Sequence, residues 1–181
     1  MSEGTGFIVG HNDAENRLNE LSGVDITHLR AGYIYSNLYA FVNMIKNMGN
    51  IGSNYGGEDK LVLVHPSDIA AAAAEEFETM DNGYRVRYVA SDERTASETA
   101  KVLGDAIGKP DLQWMTFSDQ QTQEGLQRTG MPPFMAASLV ELGASIHSGA
   151  LGRDYELHKP KSLGKIKIED FAKDFTAAFQ A

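Results

Sequence analysis

The feature that most constrains the fold is an alternation of strand-like and helix-like segments along the chain. Residues 24–29 and 84–89 alternate apolar with polar side chains, which is the period of a β-strand, and residues 60–64 form a short apolar run. Between them, residues 35–48 place apolar side chains every three or four positions, which predicts an amphipathic helix. Strands that alternate with helices in this way favour an α/β fold over a helical bundle or a β-sandwich.

The same patterns predict the remaining elements. Helical spacing recurs in residues 12–21, 95–107, 118–126, 134–147 and 168–179, residues 112–117 have the pattern of a further strand, and the glycine-rich residues 50–59 are predicted to be a loop. Ser67 is predicted to cap the helix that follows the strand at 60–64. A chain of 181 residues, 42% of them hydrophobic, is large enough for one domain with its own core.

Charge and composition exclude several classes of partner. Lys and Arg number 16 and Asp and Glu number 25, so the formal net charge of −9 opposes binding to nucleic acid or to an anionic membrane surface. There is no Cys, which removes disulfides, thiolate metal ligands and a cysteine nucleophile. No apolar stretch approaches the ~20 residues of a membrane helix and no secretory signal is visible, so we expect a cytoplasmic protein without a membrane partner.

Two patterns that often mark a ligand site are weak in this sequence. The glycines at positions 4, 6 and 10 superficially resemble a dinucleotide-binding loop, but such a loop needs a preceding strand, and only three residues precede it. A flexible leader is the favoured alternative. None of the five histidines has a partner histidine four residues away, so no helical metal site is expected.

His11 and Glu15 lie one helical turn apart near the start of the first predicted helix. An imidazole in this position titrates near neutrality and can act as a general acid or base. The residues alone favour the alternative, a capping histidine beside a solvated glutamate.

Two groups of side chains are candidates for contact with a substrate. Tyr33 and Tyr35 follow the first strand, where α/β sheets bind ligands, and Asn37 comes one turn later. The two tyrosines either orient a substrate or pack as core, and Asn37 either donates a hydrogen bond or faces water. Met115 and Phe134 either line an apolar cavity or belong to ordinary core.

Several segments carry a resemblance to a known family. They are residues 11–18, the strand and turn at 22–32, residues 35–38, residues 64–70, residues 88–100 and the segment 130–133 before an alanine-rich helix. Together they resemble the NmrA-like group of atypical short-chain dehydrogenase/reductases, which are NAD(P)-binding Rossmann proteins. The resemblance covers nearly the whole chain but only the second half of the family's sequence. It implies a Rossmann-like C-terminal part that lacks the first βαβαβ unit and its glycine fingerprint, with residues 1–36 as residual Rossmann core and residues 37–181 as the substrate-side region.

The resemblance also implies roles for individual residues. His11 matches the position of the family's catalytic lysine, whereas Phe7 stands where related enzymes have the catalytic tyrosine. Arg30, Ala31 and Gly32 match the turn beside the nicotinamide ring and are the expected cofactor-binding residues. The positions that wall the substrate pocket correspond to Tyr33, Tyr35 and Asn37, and we add Met115 and Phe134 to that wall.

These implications lead to two functional expectations of different kinds. The first is a truncated NAD(P)-dependent oxidoreductase that supplies the substrate pocket for hydride transfer to a small, quinone-like acceptor. Without the fingerprint loop, the chain alone is expected to bind NAD(P) weakly or not at all and to be inactive. The second is a non-catalytic small-molecule or redox-sensing module, and a self-associating fragment is a further alternative. An exposed sheet edge would then mediate a homodimer.

Overall fold

The computed structural model describes residues 4–79 and 83–181. Its strands are β1 (Ile26–Ala31), β2 (Tyr33–Ile34), β3 (Ile51–Ser53), β4 (Lys60–Val64), β5 (Tyr84–Val89), β6 (Asp92–Thr95) and β7 (Trp114–Thr116). Its α-helices are α1 (Val9–Leu18), α2 (Val42–Met48), α3 (Pro66–Glu78), α4 (Ala96–Ala106), α5 (Asp119–Arg128), α6 (Pro133–His147), α7 (Arg153–Leu157) and α8 (Ile168–Gln180). Two 3-10 helices, Gly6–Ile8 and Tyr35–Phe41, precede α1 and α2.

The strands form three small sheets in which parallel pairing dominates. β1 pairs with β5, β2 with β4 and β3 with β7, all in parallel, whereas β6 is antiparallel to β4. The predicted α/β class is therefore confirmed. Helix α1 lies on one face of the β1–β5 sheet. Asn19, the residue that follows this helix, has its side-chain Oδ1 2.7 Å from His28 Nε2 on β1. Helix α3 covers the other face, where Thr27 donates to Glu76.

The main core lies between the sheets and helices α4 and α8. Tyr35, Leu38 and Ile45, from the chain segment that follows β2, have no exposed surface. The ring of Tyr35 stacks on Phe171 of α8 with centroids 5.2 Å apart, and Phe175 is equally buried. Helix α8 therefore buries one apolar face, as its spacing of phenylalanines predicts.

Three predicted features differ in detail from the structure. Residues 35–48 form a 3-10 helix followed by an α-helix instead of one continuous helix. Ser67 is not the cap of α3, because Pro66 begins the helix and the His65 ring accepts a hydrogen bond from the Ser67 amide at 3.1 Å. The glycine-rich loop at 50–59 contains the short strand β3.

The segment that begins at Gly4 is not a flexible leader. Gly6–Ile8 forms a 3-10 helix, and Thr5 is 2% exposed. A Cβ atom at Gly6 would lie 2.1 Å from the backbone oxygen of Ser138 in α6, so the two backbones are in direct contact. Glycine is needed at position 6 both for this contact and for its φ of 61°.

Candidate functional site

Arg30 is the centre of a partly buried cluster that ties four elements together. Its Nε donates to Glu15 Oε1 at 3.0 Å, and its Nη2 donates to Glu15 Oε2 at 2.6 Å. Its Nη1 donates to the Tyr88 hydroxyl at 3.1 Å and to Asp154. We call Arg30, Glu15, Tyr88 and Asp154 the Arg30 cluster. It joins β1 to α1, β5 and α7.

The electrostatics of the Arg30 cluster hold it in one charge state near neutral pH. The hydrogen bonds from Arg30 hold the pKa of Glu15 below its usual 4.5, and the hydroxyl of Tyr88 lowers the pKa of Asp154. Burial raises the pKa of Tyr88 to about 12, so its hydroxyl stays protonated and donates to Asp154. Both ends of the Arg30 guanidinium are therefore occupied by groups of this chain.

The turn after β1 does not offer an open backbone cradle for a nucleotide. A Cβ atom at Gly32 would lie 2.5 Å from the backbone oxygen of Val62, so the neighbouring strand already occupies that space. Ala31 is exposed, and the Arg30 side chain turns to Glu15 and Asp154. The backbone at Gly6 likewise lies against α6. At both places the Cβ direction of the glycine is filled by backbone of this chain, so neither glycine presents an open backbone surface on that side.

A second arrangement lies at the carboxyl end of the parallel β3–β7 pair, where α/β sheets bind ligands. Asn54 follows β3, is 4% exposed, and donates to Asp119 Oδ1 at 2.8 Å and to the Val140 carbonyl at 2.7 Å. Phe117 follows β7 and donates its amide to the Ser53 carbonyl at 2.7 Å. We call Ser53, Asn54, Met115 and Phe117 the β3–β7 edge.

Aromatic rings support the β3–β7 edge from the core side. The Trp114 indole donates to the Tyr55 carbonyl at 2.7 Å, and the two ring centroids are 5.3 Å apart. Tyr33 lies beside Tyr55, where burial raises the pKa of Tyr33 to about 12 and the Tyr55 hydroxyl partly offsets that rise. The Tyr33 hydroxyl is therefore a protonated donor at neutral pH.

Helix α6 fixes the loop that follows β3. A Cβ atom at Gly143 would lie 2.0 Å from Asn54 Oδ1, so the helix backbone is in close contact with this amide. At the end of α6, the His147 ring bonds to Asp59 Oδ2 at 2.8 Å, which raises the pKa of His147. Sequence patterns missed Asn54 and Asp119, and the glycine-rich composition of residues 50–59 is the one signal that pointed to this loop.

The other predicted site residues differ widely in exposure. Tyr35 has no exposed surface and belongs to the core, whereas Asn37 is exposed. Met115 on β7 is 41% exposed, and Phe134 in the first turn of α6 is 72% exposed.

His11 is exposed on α1, and the pairing considered from the sequence is not formed, because Glu15 bonds to Arg30 instead. Phe7 is 55% exposed. The structure thus places Tyr33 beside Tyr55 and Arg30 in a separate cluster with Glu15.

Within residues 4–79 and 83–181, no group of three or more His, Asp or Glu side chains has the geometry of a metal site. Over the same ranges, every helix is too short or too polar to cross a bilayer.

Comparison with known proteins gives matches among solved structures. No protein-family model and no curated protein matches the sequence. An NADPH-dependent quinone oxidoreductase from Escherichia coli has 22% identity and a TM-score of 0.74 over 92% of this chain and 60% of its own. A nucleoside-diphosphate-sugar epimerase from Staphylococcus aureus has 17% identity and a TM-score of 0.70 over 96% of this chain and 61% of its own. An NmrA mutant has 12% identity and a TM-score of 0.56 over 90% of this chain and 51% of its own.

The extent of these matches defines what the chain shares with the solved proteins. The chain spans about 60% of the length of the oxidoreductase and the epimerase. At these identities the likeness shows the fold. Over nearly all of its length, the chain therefore has the Rossmann-like α/β fold of the NmrA-like NAD(P)-binding proteins, as a stretch that corresponds to part of theirs.

Proposed function

We propose that this chain forms the acceptor side of an NAD(P)-dependent oxidoreductase whose nucleotide is held by residues other than the described ones. The observation that carries the proposal is the β3–β7 edge, which places the half-exposed Met115 beside a rigid, hydrogen-bonded loop at the carboxyl end of two parallel strands. Ligand sites in α/β sheets have this location and this mixture of apolar surface with a few polar groups.

A small quinone-like acceptor suits the chemistry of the β3–β7 edge. A flat conjugated ring gains from contact with Met115 and Phe117. Reduction of a quinone to the hydroquinone takes two electrons and two protons overall. The E. coli structure that shares the fold is named as an NADPH-dependent quinone oxidoreductase, which supports this acceptor class.

Proposed roles for single residues follow from their positions. Tyr33 carries a protonated hydroxyl beside Tyr55, the residue after Asn54, and would orient the acceptor, while Met115 and Phe134 would supply apolar contact. Exposed His11 would act as general acid once the nucleotide-binding part is present. Arg30 and Gly32 would stabilise the acceptor side by packing, because Arg30 bonds to Glu15 and Gly32 contacts Val62.

A second candidate function is a small-molecule or redox-sensing module without hydride transfer. The specific observation in its favour is Phe7, which is 55% exposed at the position where the family's proton-donating tyrosine would stand. Such a module would retain ligand binding at the β3–β7 edge and lack turnover.

A fluorescence titration with 1,4-naphthoquinone tests ligand binding at the β3–β7 edge. Trp114 is the single tryptophan of the chain and lies next to Met115, so its emission reports on this place. We expect saturable quenching that Met115→Ala weakens severalfold. Met48→Ala is the matched control, because Met48 is 58% exposed at the end of α2 and should leave the titration unchanged. Quenching that is linear in quinone, or equal in both variants, would refute the proposal.

A further inference from the structure

The two faces of the β3–β7 pair have different surroundings. Register partners in a parallel pair point to the same face, so Ile51 and Trp114 share one face. Gly52 and Met115 share the other. Ile51 has no exposed surface and Trp114 is 7% exposed, so their face belongs to the core. Met115 is 41% exposed, and the proposed acceptor therefore contacts the face of Gly52 and Met115.

The Phe117 ring covers Gly52 on this face. Phe117 follows Met115 by two positions, so its side chain is on the same side of the pair. A Cβ atom at Gly52 would lie 2.8 Å from Phe117 Cε2, whereas non-bonded carbon atoms pack best at about 3.5–4.0 Å. Gly52 is buried although it has no side chain of its own. The ring therefore occupies space that a side chain at position 52 would need.

The backbone of Phe117 is fixed on both sides. Its amide donates to the Ser53 carbonyl at 2.7 Å, which continues the β3–β7 ladder by one hydrogen bond. The next residue, Ser118, is the N-cap of α5 and forms a capping box with Gln121, in which each side chain accepts from the other residue's amide. Because the main chain is held in this way, the ring moves only by rotation about its own side-chain bonds.

We propose that Phe117, resting on Gly52, determines the size of the acceptor and limits it to two fused rings. The inference rests on the proposed function, because it concerns the same acceptor contact. β3 and β7 have three residues each, so their face extends about 10 Å along the strands, about the length of three linearly fused six-membered rings. The Phe117 ring takes one ring's length at the end of this face, and a third ring of the acceptor would overlap with it.

Two quinones that differ by one fused ring test the size limit. 1,4-Naphthoquinone and 1,4-anthraquinone carry the same pair of carbonyl oxygens, and Trp114 emission reports the binding of each. Phe117→Ala is expected to raise the affinity for 1,4-anthraquinone relative to 1,4-naphthoquinone on the order of tenfold, because the third ring enters the vacated space. Phe77→Ala is the matched control, because Phe77 is 88% exposed on α3 beside β1 and should leave the affinity ratio unchanged.

A second variant and a measurement without ligand cover the case in which Phe117→Ala does not fold. Phe117→Leu keeps an apolar contact over Gly52 but removes the flat ring, and should shift the affinity ratio severalfold in the same direction. In a double-mutant cycle with Phe117→Leu, Gly52→Ala should lower the free energy of unfolding less than it does in the unaltered chain. The reason is that part of its cost is overlap with the ring, whereas the overlap with the Met115 carbonyl is the same in both backgrounds.

Other results would overturn the size limit. If neither Phe117 variant favours 1,4-anthraquinone over the unaltered chain, the ring does not bound the acceptor. An equal cost of Gly52→Ala in both backgrounds would show that the ring does not rest on Gly52. A chain that gives these results but binds 1,4-naphthoquinone saturably keeps the proposed function and loses only the size limit. A chain that binds neither quinone saturably refutes both.

Discussion

Arg30 and Glu15 form a two-pronged ion pair, in which Nε and Nη2 of the guanidinium reach the two carboxylate oxygens at 3.0 and 2.6 Å. The two side chains are only 17% and 14% exposed. A paired geometry of this kind is strong because each charge is met by two parallel hydrogen bonds. The pair therefore holds helix α1 against strand β1.

Removal of Glu15 should destabilise the protein measurably. Glu15→Ala leaves a mostly buried guanidinium with its Asp154 and Tyr88 partners only, and we expect a loss of about 2 kcal/mol in the free energy of unfolding. Urea denaturation followed by circular dichroism measures it. Glu124→Ala is the control, because Glu124 pairs with Arg128 on the exposed surface of α5 and should change stability by about 0.5 kcal/mol or less. Equal losses of unfolding free energy in the two variants would show that the Arg30–Glu15 pair stabilises the protein no more than an exposed surface pair.

Stability should fall in acid, and the Arg30 cluster should contribute to the fall. The pKa of Glu15 is lower in the folded protein than its ordinary value of 4.5, because Arg30 donates to it. The unfolded chain therefore takes up this proton at a higher pH than the folded one, and the stabilisation, complete above pH 4.5, is lost as the pH falls through the folded pKa. Urea midpoints measured from about pH 6 down to about pH 3 should decrease. Glu15→Ala should make that decrease shallower, and an unchanged slope would contradict this account.

The contact between Gly32 and Val62 should tolerate no side chain. Gly32→Ala places a Cβ atom 2.5 Å from a backbone oxygen, and we expect it to cost about 1–3 kcal/mol of stability. Gly125→Ala is the matched control, since Gly125 lies inside α5 with open space around it and alanine is the better helix former. That substitution should stabilise by about 0.5–1 kcal/mol. A neutral Gly32→Ala would mean that the turn after β1 is looser than described and could be opened by a ligand.

Most of the helices and the longer strands could be predicted from the sequence, whereas the short strands and the partners of polar side chains could not. Helix α8 shows why the first part succeeds: its phenylalanines repeat at helical spacing because one face is buried. Strand β6 shows where prediction from local patterns ends. Its four residues are all polar, so no hydrophobic pattern marks the strand, and it forms because the fold places it beside β4.

The candidate site shows the same limit more clearly. Local spacing links His11 to Glu15, but the fold turns Glu15 towards Arg30, which is 15 residues further along the chain. Asn54 and Asp119 are 65 residues apart and meet only because β3 and β7 are neighbours. Tyr33 and Tyr35 look alike in the sequence, yet only Tyr35 is in the fully buried core. Such differences follow from long-range packing, which no local pattern contains.

The most direct test of the central claim, that these residues form an acceptor side without a nucleotide clamp, is a calorimetric titration of the chain with NADPH. The account predicts no saturable binding, because the backbone at Gly6 lies against α6 and the backbone at Gly32 lies against Val62. The same protein sample should still bind 1,4-naphthoquinone in the Trp114 fluorescence assay. Stoichiometric, tight binding of NADPH by this chain alone would contradict the account.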